Sequence, residues 1–296
     1  MRQCLANRDE RHKILWVNKG ETTNLGTGED HPDLTFNHTE ADTMIFGIYA
    51  KLRAVYAHPI IIDSEDTDVY IQAAYVAKRT TGKMYIKRKK HLIDCKTLVD
   101  DEVADSIIAA HVISGSDHSS GFYHKGKSSI MKCVKTDAEA RELLSRLGQE
   151  PELSEPVEAA AKDFVLSKIY HSEEDSCAAA RAVKWRSQRK KNTMYLPPDD
   201  DSLHHHLVRV NYITYCQKHY ELRTHPCPLG NGWALINGKC RPVRHSRPAL
   251  HSQENTDSGD SDSSGDSDSD TEESEESEME DTEYEESSES DLSEED

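Results

Sequence analysis

The chain has 296 residues, with 36 lysines and arginines against 55 aspartates and glutamates, and a formal net charge of −19. Residues 254–296 contain 22 acidic residues and no lysine or arginine, which leaves 33 acidic and 36 basic residues in 1–253. This distribution excludes a uniformly acidic globular protein and predicts a slightly basic body with an acidic tail. The seven cysteines form no Cys-x-x-Cys pair, and no apolar run approaches the about 20 residues of a membrane span. We expect a protein of the nucleus or cytoplasm that is neither secreted nor bound to a membrane.

Strands and helices alternate in the first half of the body. Thr39 is the predicted N-cap of a helix at about 40–56, because Met44, Ile48 and Leu52 follow at helical spacing. The run Ile60–Ile62 predicts a strand buried on both faces. Strands are also predicted at 13–17 and 82–86, and helices at 69–77, 101–113 and 128–134. The alternation predicts an α/β fold, in which a parallel sheet is flanked by helices.

The second half of the body is dominated by helical patterns. Helices are predicted at 137–148, 155–170, 178–191 and 199–220, and Asn237-Gly238 predicts a type I′ hairpin after them. We therefore divide the chain into a poorly defined segment at 1–37, a core at 38–136, a helical appendage at 137–245 and a disordered acidic tail at 246–296. The tail has too few apolar residues to offset the entropy lost on folding.

Acidic residues recur at the ends of the predicted elements. Glu40 and Asp42 begin a helix, Asp63 with Asp66 and Asp68 follows a strand, and Asp117 lies in a glycine-containing loop. Ligands bind beyond the carboxyl ends of the strands in open α/β sheets, so these groups could share one cleft. Neighbouring carboxylates stay ionised only with cations nearby, and hard ions such as Mg²⁺ or Mn²⁺ prefer oxygen ligands. Two such ions about 4 Å apart can clamp a phosphodiester, which predicts metal-dependent hydrolysis of nucleic acid.

Three motifs carry a resemblance to a known family. They are Glu40-Ala41-Asp42-Thr43, Ser64-Glu65-Asp66-Thr67-Asp68-Val69 and the Gly-x-Asp turn from Gly115 to Phe122. In this order they resemble the flap-endonuclease branch of the PIN-like nucleases, and more closely the transposon-derived PIN-like proteins of invertebrates and fish. The later Leu196-Pro197-Pro198, Arg209-Val210-Asn211-Tyr212 and 228–233 are similar to that group's C-terminal region. The resemblance covers about residues 38–240.

The resemblance implies roles for individual residues. Residues 38–136 would be the C-terminal part of a PIN-like nuclease core. Its metal ligands would be Glu40, Asp42, Asp66, Asp68 and Asp117, and Asp66, Asp68 and Asp117 would also be catalytic. Lys125, Gly126 and Lys127 would bind the nucleic-acid backbone, although the first glycine of the usual Gly-x-Gly is absent. Family members take another acid from an upstream strand, so we expect an N-terminally truncated domain in which catalysis could be degenerate.

Simpler interpretations of the same acids remain open. Glu40 and Asp42 could merely favour the helix dipole. Asp66 and Asp68 could be capping and surface residues, and Asp117 could form an Asx turn. A phosphatase of the haloacid-dehalogenase type fits poorly, because the strand ends in Asp63-Ser64-Glu65 rather than Asp-x-Asp.

Other polar clusters give weaker indications of a binding site. The adjacent His204, His205 and His206 point in different directions on a helix, so they are predicted to be solvated rather than to share an ion. Cys227 and Cys240 lack the second half of a zinc site and are interpreted as structural thiols. Basic stretches at 87–90 and 186–191 are either solvated faces, phosphate contacts or import signals.

The acidic tail suggests a second, non-catalytic function. Six serines are followed three residues later by an acid, a pattern that suits acid-directed kinases: Ser263, Ser267, Ser269, Ser277, Ser288 and Ser293. Such a tail could bind histones or cover the basic body, or it could only keep the protein in solution. The alternative to a nuclease is therefore a nucleic-acid- or histone-binding module regulated by its tail.

Overall fold

The computed structural model describes residues 15–18, 21–24, 34–189 and 191–246. The described residues all belong to one compact unit. The predicted acidic tail lies outside the described residues except for Ser246, and most of the predicted segment 1–37 lies outside them too. The helices of 137–245 and the elements of 38–136 contribute to one hydrophobic core.

The secondary structure follows the predicted order closely. The α-helices are α1 (Ala41–Val55), α2 (Thr67–Arg79), α3 (Ile107–Ile113), α4 (Lys127–Thr136), α5 (Ala138–Ser145), α6 (Glu155–Asp163), α7 (Cys177–Ser187) and α8 (Asp200–Lys218). A π-helix at Phe164–Ile169 continues α6, and 3₁₀ turns lie at Cys95–Thr97 and Thr193–Tyr195. The strands are β1 (Leu15–Asn18), β2 (Glu21–Asn24), β3 (Ile60–Asp63), β4 (Met84–Arg88), β5 (His91–Asp94), β6 (Trp233–Ile236) and β7 (Lys239–Pro242). No described helix is long and apolar enough to cross a membrane.

The central sheet has three strands in the order β3-β4-β5. β3 pairs in parallel with β4, with Ile60 opposite Met84, whereas β4 and β5 form an antiparallel hairpin. The protein is therefore mixed α/β as predicted, but only one strand pair of this sheet is parallel. β5 was not predicted, because its hairpin turns at Lys89 and Lys90, which carry no glycine or asparagine signal.

One face of the sheet is buried. Ile62, Met84 and Ile86 lie in the core, but the side chain of Ile61 is 55 % exposed. The prediction that β3 is buried on both faces is therefore wrong, and its apolar residues reflect one covered face. Among the described residues, β3 pairs with β4 alone, so its second edge has no strand partner there.

The helices pack around α3, whose seven residues are all buried. α3 packs against α2, α4 and α8. The predicted helix 101–113 is shorter than expected, because 101–106 forms turns and α3 begins at Ile107. Thr39 is not the N-cap of α1; Glu40 takes that position. Asn237 and Gly238 both have positive φ between β6 and β7, which confirms the predicted hairpin.

Candidate metal and nucleic-acid site

The five predicted acids lie at two helix starts and in one loop. Glu40 is the N-cap of α1 and Asp42 lies in its first turn. Asp66 caps α2, because its Oδ1 accepts a hydrogen bond of 2.9 Å from the backbone N–H of Asp68. Asp117 lies in the loop after α3. Asp66 therefore does cap its helix, as the simpler interpretation held, and this role leaves its second oxygen available.

These acids influence one another electrostatically. Burial raises the pKa of Glu40, and the charges of Asp42, Asp68 and Asp117 raise it further, against the opposing charge of His118. Burial and repulsion from Asp66, Asp68 and Asp117 raise the pKa of Asp42. Charges act on one another in this way only at short range, so the acids of α1, α2 and the loop after α3 lie near one another. We call the space between them the carboxylate cleft.

Two histidines that the sequence interpretation missed face the same acids. Nε2 of His111 donates a hydrogen bond of 2.7 Å to Oδ1 of Asp68. This bond lowers the pKa of Asp68, burial opposes the shift, and the charges of Lys127 and His118 add to the lowering. His118 pairs with Glu40. The signals were present: His111 interrupts the apolar face of α3, and His118 directly follows Asp117.

The loop that carries Asp117 is held by its own serines. Oγ of Ser119 donates to the carbonyl of Val112 at 2.5 Å and accepts from the N–H of Ser116 at 3.0 Å. A Cβ on Gly121 would lie 2.8 Å from the carbonyl oxygen of Ser114, so this position requires glycine. Because serines close this turn, Asp117 is not needed as an Asx-turn former, and Asp117 is exposed.

The residues predicted to contact the backbone lie beside this cleft. Gly126 is the N-cap of α4 and Lys127 is its first residue. The positive charge of Lys127 lowers the pKa of Asp68, so the start of α4 lies near this carboxylate. Lys125 precedes them, with its Nζ 5.6 Å from the centre of the Tyr170 ring. A helix start with two lysines can bind a phosphate oxygen through its N–H groups and charges.

A second acidic group lies at the start of α8. Ligand atoms of Asp199, Asp201 and His245 lie within 4.8 Å of one another, and they form the one three-residue group this close among the described residues. These residues could hold a metal ion. They are also engaged in structure, since Asp199 caps α8 through the N–H of Ser202 and Asp201 accepts the N–H of Ser246 at 2.8 Å. The five acids of the first cleft are more widely spaced than this group.

The histidine and cysteine clusters predicted from the sequence each have their own contacts. His204 contacts Glu158 and His205 contacts Ser246, whereas His206 is buried, so the three histidines do point apart but are not all solvated. Cys227 and Cys240 are exposed free thiols.

The chain was compared with protein-family models, with curated proteins and with solved structures. None of the three comparisons finds a match.

Proposed function

We propose that the body is a PIN-like, metal-dependent nuclease domain that hydrolyses phosphodiesters in DNA or RNA. The observation that supports this most is that the charges of Asp68 and Asp117, on two other elements, act on Glu40 and Asp42 at the start of α1. Partly buried carboxylates that repel one another are costly unless a cation or proton compensates them. Their retention in one cleft, beside a lysine-bearing helix start, is what a site for a cation and a phosphate requires.

The donor set fits Mg²⁺ or Mn²⁺, which prefer carboxylate oxygens. Glu40, Asp42, Asp66, Asp68 and Asp117 would hold the metal, and a bound ion would supply an activated water for attack on phosphorus. The chain itself orients the ligands, because His111 fixes one oxygen of Asp68 and leaves the other free. Lys127 would hold a phosphate oxygen at the start of α4.

One observation favours the second candidate, a non-catalytic module that binds nucleic acid or histones. In the described part of the chain the sheet has three strands, and β3, which has no strand partner at its second edge there, ends at Asp63, three residues before Asp66. A nuclease of the proposed family would take a further acid from a strand at this level. If that acid is missing, the cleft would bind cations and phosphates without hydrolysing them.

Metal binding and cleavage separate the two candidates. Mn²⁺ is titrated calorimetrically into the full chain, and cleavage of single-stranded and branched DNA and of RNA is followed with Mg²⁺. The nuclease proposal expects Asp66→Asn combined with Asp68→Asn to abolish both signals. Asp63→Asn is the matched control, because Asp63 is an exposed acid at the end of β3 that pairs with Lys87 at 2.6 Å. Cleavage that survives the double variant, or no Mn²⁺ binding by the wild type, would contradict the proposal.

A further inference from the structure

Two segments of the chain contain no acidic residue and many basic ones. Residues 118–136 carry four lysines, and residues 177–198 carry six lysines and arginines. Within the described part of the chain, no lysine or arginine of either segment forms an ion pair with a carboxylate. Cationic side chains without a carboxylate partner, at this density, attract a polyanion such as a nucleic-acid backbone.

Exposed aromatic rings join the two segments. Tyr123 and Tyr195 are each 42 % exposed. Their ring centres lie 5.2 Å apart in an edge-to-face arrangement, and His124 stacks on Tyr195 at 5.3 Å with an interplanar angle of 13°. We call Tyr123, His124 and Tyr195 the ring platform. Exposed rings that contact one another instead of the core are unusual, since burial of each ring would be favourable.

The backbone presents the ring platform outward. Tyr123 and His124 are the central residues of a turn closed by a 3.0 Å hydrogen bond from the N–H of Lys125 to the carbonyl of Phe122. His124 has φ of 52°, a left-handed conformation that side-chain-bearing residues seldom adopt. Phe122 anchors the turn by packing edge-on against Tyr170 and His206.

The second segment is equally well supported. The side chain of Asn192 accepts the N–H of Met194 at 2.9 Å, and Arg181 donates to the carbonyl of Pro197 at 2.5 Å. These bonds hold the 3₁₀ turn that carries Tyr195. In the same segment Nζ of Lys191 lies 5.2 Å from the centre of the Trp185 ring, itself 38 % exposed. The rings are therefore held in place rather than carried on a loose loop.

We infer that the ring platform binds unpaired nucleobases, so that the protein takes single-stranded nucleic acid, DNA or RNA, beside the carboxylate cleft. Bases stack on aromatic side chains only where they are not paired in a duplex, while the flanking lysines and arginines follow the backbone. Lys127 lies three residues after His124 in the chain, and its positive charge lowers the pKa of Asp68. Cleavage of the bound strand rests on the proposed nuclease function, whereas the binding itself does not.

The test measures binding by the full chain in EDTA, so that no cleavage can occur. Fluorescently labelled 20-nucleotide oligo(dT) and oligo(rU), a duplex of mixed sequence and an abasic oligonucleotide of the same length are the probes. Tyr123→Ala combined with Tyr195→Ala is compared with the corresponding double phenylalanine variant, which keeps both rings. Tyr56→Ala is the matched control, because Tyr56 is 47 % exposed outside both segments.

Each stacked base contributes about 1–3 kcal/mol, so the double alanine variant should bind at least one single-stranded probe about 10-fold more weakly. The double phenylalanine and Tyr56→Ala variants should bind the single-stranded probes with affinities within about 2-fold of wild type. On the duplex and on the abasic probe, every variant should bind within about 2-fold of wild type. Equal losses on duplex and single strand, no loss, or no single-strand binding by the wild type would overturn the inference. If Asp66→Asn with Asp68→Asn binds normally and the wild type never cleaves, the ring platform stands and the nuclease proposal fails.

Discussion

Nε2 of His111 lies 2.7 Å from Oδ1 of Asp68, and this contact joins the buried helix α3 to the first turn of α2. His111 is 2 % exposed, so the bond is largely shielded from water. A buried donor of this kind fixes the rotamer of the carboxylate and selects which oxygen faces the cleft. The candidate metal ligand Asp68 is therefore held by a buried residue that is not itself one of the candidate ligands.

His111→Leu should weaken Mn²⁺ binding about 10-fold, the lower end of the effect seen when a residue behind a metal ligand is removed. The carboxylate of Asp68 would lose the hydrogen bond that lowers its pKa and would rotate freely. His111→Gln can still donate from its side-chain amide and should bind Mn²⁺ within about 3-fold of wild type. Calorimetric titration measures both variants, and equal affinities for wild type and His111→Leu would show that the contact is only structural.

Asp42→Asn should stabilise the metal-free protein at pH 7. Burial and three neighbouring acids raise the pKa of Asp42, so keeping its charge costs free energy in the folded state above the unfolded pKa. Removing that charge should raise Tm in EDTA, and each 1 kcal/mol gained would appear as a rise of about 2–4 °C in a domain of this size. Mg²⁺ should raise the Tm of the wild type more than that of the variant.

Asp63→Asn provides the comparison for this experiment. Asp63 forms an exposed ion pair with Lys87, so its replacement should leave Tm unchanged or slightly lower. Thermal unfolding with and without Mg²⁺ measures all three proteins. A Tm for Asp42→Asn below that of the wild type in EDTA would show that the acids do not repel one another.

Local sequence signals predicted the elements well. The helical spacing of Met44, Ile48 and Leu52 gave α1 within a residue at either end, and Asn237-Gly238 marked the last hairpin, because these features depend on neighbouring residues. Burial of β3 was mispredicted, since three successive isoleucines do not reveal how many faces of a sheet are covered. That depends on which helices pack there.

The candidate site was only half visible in the sequence. Its acids could be predicted because they lie at the ends of helices and strands. His111, in contrast, lies 43 residues from Asp68 and contacts it only because α3 packs on α2. The contact between Tyr123 and Tyr195 likewise spans two segments that no sequence pattern relates. Long-range pairs of this kind are set by tertiary packing, which a single sequence does not encode in any periodicity.

Lys218 should make stability depend on pH. It is 6 % exposed and donates to the carbonyls of Ser145 and Leu147, at 3.1 and 2.6 Å. Burial lowers the pKa of Lys218 to about 8. A lysine in the unfolded chain has a pKa of about 10.4. Between these two pKa values the unfolded chain therefore binds more protons than the folded protein does. The contribution of Lys218 to stability accordingly rises as the pH increases through this window.

Lys218→Met removes this titration. Buried thiols such as Cys95, with a pKa of about 12, oppose the trend but are present in both proteins. The difference in unfolding free energy, wild type minus variant, should therefore grow in favour of wild type from pH 7 to pH 9.5. Urea unfolding at the two pH values measures it, and a difference independent of pH would contradict the assigned pKa.

Gly148→Ala should be strongly destabilising, because this glycine meets two separate constraints. Its φ is 71°, and a Cβ would lie 2.7 Å from the backbone carbon of Thr214 in α8. Its N–H donates to Oδ1 of the buried Asn211 at 2.8 Å, so the backbone cannot move away without losing that bond.

Gly238→Ala separates the two constraints, because its φ is 72° and nothing lies within 4 Å of its added Cβ. Gly238→Ala should cost about 1–2 kcal/mol for the left-handed conformation alone. Gly148→Ala should cost at least about 1 kcal/mol more, the lower bound for forcing extra volume into a packed site. Equal losses in urea unfolding would mean that α8 yields to the added methyl group and that the packing between Gly148 and Thr214 is loose.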